Sequence, residues 1–210
     1  MQTTEILQEN IDGTWKVERG PDLPKPLFGH CAVTLPGGNV LLTGGFDGWD
    51  QSNLAKEFHW EDNLNGKWIN EPGKNTNMRI KRYDHLCFYR QGSVYAVGGW
   101  KANLDPVMKT ERYNISLMKW EILSEDNDSE LPDVVRSSSV GISEGKLALI
   151  GGVSCETGSH VRNGRKCQKL PGVYEFEPLQ GWKKSGVEIE TARSSHVGIN
   201  IPITVEDTCN

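Results

Sequence analysis

The sequence predicts an all-β chain of repeated four-stranded antiparallel units, about three complete, with partial units at both ends. Three observations predict it. The 210 residues carry 23 Gly, 10 Pro and 7 Trp but only 4 Met, punctuation that suits short strands joined by turns better than long helices. A Gly-Gly pair closes a β-patterned run three times: Val40-Leu41-Leu42-Thr43-Gly44-Gly45, Val94-Tyr95-Ala96-Val97-Gly98-Gly99 and Leu147-Ala148-Leu149-Ile150-Gly151-Gly152, with the first glycines 54 and 53 residues apart. Tryptophans keep nearly the same period, since Trp15, Trp68, Trp120 and Trp182 stand 53, 52 and 62 apart.

Each unit opens on an Arg/His element: Arg82-x-x-His85, Arg136-x-x-Ser139 and Arg193-x-x-His196. His30 stands alone in the first copy, which carries Pro26-Leu27 in place of the arginine. The first strand follows (Cys31–Leu35, Leu86–Arg90, Val140–Ile142 and Val197–Ile201), and the second ends at the glycine pair. The third strand carries an aromatic (Phe58, Tyr113, then Tyr174 and Phe176) and the fourth the tryptophan. Units of about 26–70, 81–123 and 135–185, a lone tryptophan strand at Trp15–Val17 and a partial unit at 192–205 fill 14–205, leaving tails at 1–13 and 206–210. A meander of five-residue strands cannot bury both faces alone. Stacking such sheets radially about an axis solves that problem, which makes a β-propeller.

The period near 50, the Gly-Gly pair, the downstream aromatic and the spaced tryptophan resemble the kelch repeat, from about Thr14 to Ile203. The resemblance implies a kelch-type propeller acting as a non-catalytic protein-interaction scaffold. In that family the residues just before the first strand and just after the glycine pair reach one end of the channel and form a binding mouth. Transferred by position, Arg82, Tyr83, Arg136, Ser137, Arg193 and Ser194 make one set, and Phe46, Asp47, Trp49, Trp100 and Lys101 the other, while Leu27 and Phe28 stand in for the missing arginine of copy one. Three converging arginines suit an acidic segment of a protein partner. The competing reading is that repeat-position arginines tie adjacent blades by bonding carbonyls. An incomplete ring also leaves self-association open. The alternative functions are an extracellular adhesion or structural propeller, and an enzyme of the galactose oxidase or sugar mutarotase kind.

The formal charge of −5 and pI near 5.6 give no reason to expect a nucleic acid partner. The longest apolar runs, Val94–Trp100 and Leu147–Val153, fall far short of the roughly 20 residues that span a bilayer. The opening ten residues lack the basic head and apolar stretch of a signal peptide. The cytoplasm is slightly favoured on that reading, and an extracellular site follows if a longer parent chain carries a signal. No His-Glu-x-x-His or Cys-x-x-Cys occurs, and Asp126-Asn127-Asp128-Ser129-Glu130 lacks the glycine and distal glutamate of a calcium loop, so no metal or other cofactor is expected.

Cys31 and Cys87 fall in first strands, where a buried thiol behaves as a small hydrophobe. Cys155 and Cys167 lie in an insertion: the step from glycine pair to aromatic is 13 and 14 residues in the first two copies but 22 in the third. A disulfide between Cys155 and Cys167 across the neck of this loop is the candidate bridge. The sequons Asn114-Ile115-Ser116 and Asn127-Asp128-Ser129 are no more than the composition produces by chance.

Overall fold

The computed structural model describes residues 2–61, 66–69, 77–101, 105–123, 131, 139–143, 146–155, 167–177 and 181–194. These residues form sixteen strands and no helix. Strands β1 (Thr4–Glu9) and β2 (Trp15–Gly20) pair as an N-terminal hairpin. The first blade is β3 (Phe28–Thr34), β4 (Val40–Phe46), β5 (Ala55–Trp60) and β6 (Gly66–Trp68), hydrogen-bonded in chain order. The second repeats the order with β7 (Leu86–Arg90), β8 (Ser93–Val97), β9 (Thr110–Asn114) and β10 (Lys119–Ile122). The third comprises β11 (Ser139–Ser143) and β12 (Lys146–Ile150), the inserted pair β13 (Val153–Cys155) and β14 (Cys167–Lys169), then β15 (Gly172–Glu177) and β16 (Gly181–Glu188). The propeller expectation holds in the observed sheets.

Within each blade the aromatic of the third strand lies directly across from the tryptophan of the fourth: Phe58 opposite Trp68, Tyr113 opposite Trp120, Phe176 opposite Trp182. Their ring centroids are 5.2, 5.2 and 5.0 Å apart. Such cross-strand aromatic pairs are the strongest the sheet has. The second strands read as nearly continuous apolar runs because both their faces are covered. On β8, Val94 and Ala96 pack toward the first blade with Leu35, Leu41, Ala55 and Trp120. Tyr95 and Val97 pack toward the third with Leu147, Leu149, Phe176 and Trp182. Trp120 and Trp182 therefore face the preceding blade, and burying one contributes roughly 4 to 6 kcal/mol. On the N-terminal hairpin no described residue covers Trp15 in this way, and it is 62% exposed.

The first strands stand side by side, β3 against β7 and β7 against β11, which is the radial arrangement. The glycine pairs make this approach tolerable. All six glycines have positive φ. A Cβ on Gly44 would lie 2.5 Å from Arg82 O and 2.5 Å from the His85 ring, and one on Gly99 would lie 2.7 Å from Tyr83 O. At Gly44 the segment leading into the next blade's first strand fills the space a side chain needs, and at Gly99 the lead-in of its own blade does. Gly45 N donates to Arg82 O at 2.9 Å, and Gly152 N repeats the contact with Arg193 O at 2.8 Å.

Four expectations change. The segment read as a tail, 1–13, contains β1, a full partner for β2, which itself extends from Trp15 to Gly20. Its Ile6 and Leu7 show no aromatic signature, so the repeat pattern missed the strand. The first blade's inner strand begins at Phe28 rather than Cys31. Ser139 lies opposite Ile150 as Leu86 lies opposite Val97, so it matches Leu86 rather than His85. Finally, Cys31 and Cys87 are not separate thiols: they form a disulfide that joins β3 to β7. Adjacent inner strands come close enough, at a Cα separation of 5.9 Å, for a bridge between blades 56 residues apart in the chain. The predicted strand Val197–Ile201 lies outside the described residues.

Candidate functional site

Several of the residues that the sequence assigned to a mouth meet at the end of the molecule where β3 begins and β4 finishes. Phe28 and Phe46 face each other across the first blade in register, with ring centroids 5.2 Å apart. Tyr83, just before the second blade, closes the group at 5.3 Å from Phe46 and 6.4 Å from Phe28. Its backbone is fixed by a reciprocal pair of hydrogen bonds with Trp100, at 3.1 and 2.9 Å, and Asp84 N donates to Gly29 O at 2.7 Å across the joint. Phe28 is 54% exposed and Phe46 and Tyr83 are half-buried, so three rings form one partly open platform over two blades.

Beside it, β4 continues into a short turn closed by the Phe46–Gln51 bridge. Asp47 holds the turn: its Oδ1 accepts from Trp49 N at 3.0 Å and Asp50 N at 2.9 Å. Those bonds, Asp50 N then Trp49 N, with Lys25 adding, hold the Asp47 carboxyl down at about 2. Gly48, at φ +104°, takes the turn position that a side chain resists. The result projects Trp49 into solvent, 94% exposed. The charges around it are matched, Lys25 with Asp47 and Lys81 with Asp50. An exposed indole and three rings among neutralised charges favour apolar contact over attraction of net charge.

The arginine expectation fares differently. Arg82 is 0% exposed, so its guanidinium is turned inward and does not face a partner. Nη1 donates to Gly98 O and Lys109 O at 2.9 Å, and Nη2 donates to Glu111 Oε1 at 2.9 Å. Glu111, equally buried, accepts from Arg79 N and Ile80 N at 2.6 and 3.0 Å. Desolvation pushes the Arg82 pKa down and Glu111 opposes it. Trp100 is likewise buried, at 2% exposure, and belongs to the core rather than to the mouth. Lys101 is exposed, Arg193 is exposed with Nε donating to Thr191 O, and Ser194 is half-buried. Arg136 and Ser137 lie outside the described residues.

Of the recurrent histidines, His85 has a packing role, whereas its counterpart His30 is exposed. His85 is buried with Nε2 2.8 Å from Thr43 Oγ1 of the first blade. Burial, then Arg82, then His30 hold its pKa well below 6.5, so the ring is neutral. Among the described residues no group of three His, Cys, Asp or Glu side chains is placed to hold a metal. In the insertion, Cys155 lies opposite Cys167 in the β13–β14 register, and Cys167 is disulfide-bonded.

No family profile matches the chain. It is 28% identical over 149 residues to Kelch domain-containing protein 8B of Mus musculus, a match covering 67% of this chain and 39% of that protein. It is 29% identical over 124 residues to Spermatocyte protein spe-26 of Caenorhabditis elegans, covering 58% of this chain and 18% of that one. The chain thus spans less than half the length of these curated relatives. Among solved structures, that of YjhT superposes with a TM-score of 0.64 over 93% of this chain and 73% of YjhT, at 15% identity, a likeness of fold. The chain has the fold of a kelch-type β-propeller and is similar in sequence to kelch-domain proteins.

Kelch spacing pointed to Phe46 and Tyr83, which lie together, but not to the ion pair behind them. Glu111 and Tyr113 share one face of β9, and Tyr113 is buried against Trp120. A glutamate two residues from a core aromatic, on the core side of a strand, needs a buried cation. That alternation was the available signal that Arg82 was already engaged.

Proposed function

We propose that this kelch propeller is a non-catalytic protein-interaction scaffold whose partner docks on the Phe28–Phe46–Tyr83 platform and the projecting Trp49. The single observation that carries the reading is the exposure of Trp49 and Phe28 at one end of the first blade, beside Tyr83 at the start of the second and around side-chain charges that are already paired. Rigid rings lose little conformational freedom on contact and supply large apolar area, which is the composition of binding hot spots. The partner is a protein segment that presents an apolar or aromatic side chain, with acidic residues secondary because Arg82 is spent inside the fold.

Panning displayed random peptides on the chain, then measuring the selected peptide by fluorescence polarisation, tests this. Phe28→Ala and Trp49→Ala should each weaken binding by about tenfold or more, with unfolding midpoints unchanged for Trp49→Ala. Peptides that bind both variants as tightly as the parent chain refute the platform.

A further inference from the structure

The platform is shared between blades: Phe28 and Phe46 belong to the first and Tyr83 leads into the second. Its shape therefore depends on how β3 and β7 sit against each other at this end. Cys31 lies three residues along β3 from Phe28, and Cys87 four residues beyond Tyr83. Their disulfide is the one covalent tie between the two inner strands among the described residues.

The rest of the joint is fastened independently. Arg82 and Glu111 lie within the second blade's edge, Gly45 N bonds Arg82 O, Thr43 bonds His85, and Leu35, Leu41, Ala55, Val94, Ala96 and Trp120 form a common core. Opening the disulfide therefore removes the covalent tie under the platform, leaving the Asp84 N–Gly29 O hydrogen bond at this edge while the core keeps the blades together. Both cysteines are half-buried, so the bond is neither deep in the core nor fully exposed.

We propose that Cys31–Cys87 is a redox latch on the binding platform, a reading that rests on the platform being the binding surface. Oxidised, the latch holds Phe28 and Tyr83 at their contact distance. A protein dithiol reverses it: one thiolate attacks a sulfur of the bridge, a mixed disulfide forms, and the second thiol of the reductant resolves it. The chain gains two electrons and two protons as Cys31 and Cys87 become thiols, and the dithiol becomes a disulfide. The platform is whole where disulfides persist, in extracellular or luminal surroundings, and loosened where a dithiol pool keeps thiols reduced.

Hydrogen exchange by mass spectrometry on the whole chain tests the latch without any ligand. The double variant Cys31→Ser/Cys87→Ser leaves Cys155 and Cys167 intact. It should exchange about tenfold faster over 28–34 and 83–90, with 110–114 and 172–177 unchanged. The peptide selected on the oxidised chain should bind it about tenfold more weakly, because the competent arrangement is populated that much less. Parent chain treated with dithiothreitol, with opened cysteines identified by alkylation, should behave the same way and recover on reoxidation. It also serves if the double variant does not fold. Equal exchange in oxidised and reduced chains overturns the latch whatever the peptide does. Global unfolding on reduction also overturns it, making the bridge a staple. Faster exchange with unchanged peptide affinity instead overturns the platform reading and the latch's role with it.

Discussion

Replacing Arg82 by Met is the most informative single perturbation, because it separates the two duties the sequence left open for this arginine, a partner contact or a tie inside the fold. The guanidinium is fully buried and makes three bonds at 2.9 Å, to Gly98 O, Lys109 O and Glu111 Oε1. Methionine fills much of the volume but donates nothing. Two carbonyls lose their donor and the Glu111 carboxylate keeps only the Arg79 and Ile80 amides. Removing one member of a buried pair costs about 3 to 5 kcal/mol, so we expect about 4. In a chain of this size that lowers Tm by about 8 to 16 °C. Glu111→Leu should cost a similar amount, and the double variant should cost less than the two singles together, since no unpaired charge remains. Thermal and urea unfolding followed by circular dichroism measures all three. An Arg82→Met chain within about 0.5 kcal/mol of the parent, yet deficient in peptide binding, would show that Arg82 serves the mouth and refute the reasoning.

Two further outcomes follow from the interior. His85 is held neutral, so the unfolded chain binds a proton below pH 6.5 that the native chain does not. Stability present above that pH is lost as pH falls, by up to about 1.4 kcal/mol per pH unit, and urea titrations of His85→Gln should show a flatter profile between pH 7 and 5. Trp182 Nε1 donates to Thr110 Oγ1 of the preceding blade at 2.9 Å, whereas Trp120 Nε1 has no hydrogen-bond partner among the described residues and Ala55 holds the position that matches Thr110. Thr110→Val should therefore cost about 1 to 2 kcal/mol, read as a lower urea midpoint.

The blades were legible because their signals are local and repeated. Gly44-Gly45 and Gly151-Gly152 mark the point where the lead-in to the next first strand arrives, and Trp120 and Trp182 mark the face turned to the preceding blade. The positions of Phe46 and Trp49 just beyond β4 were legible for the same reason, since both sit at a fixed offset from a glycine pair. Other features depend on partners far apart in the chain. Arg82 looked like a surface group until Glu111, 29 residues on, supplied its counter-charge. Cys31 and Cys87 looked like core thiols because only the side-by-side placement of β3 and β7 brings them together. Strand β1 escaped notice because its cross-strand partner for Trp15 is Glu9, where the blades use an aromatic.

Peptide mapping of the oxidised chain without reductant tests most directly the claim that first strands of consecutive blades lie side by side beneath a shared platform. The account predicts a linked pair of peptides containing Cys31 and Cys87, and a second containing Cys155 and Cys167. Cys31 bound to any other cysteine, or both Cys31 and Cys87 found as free thiols, would contradict it.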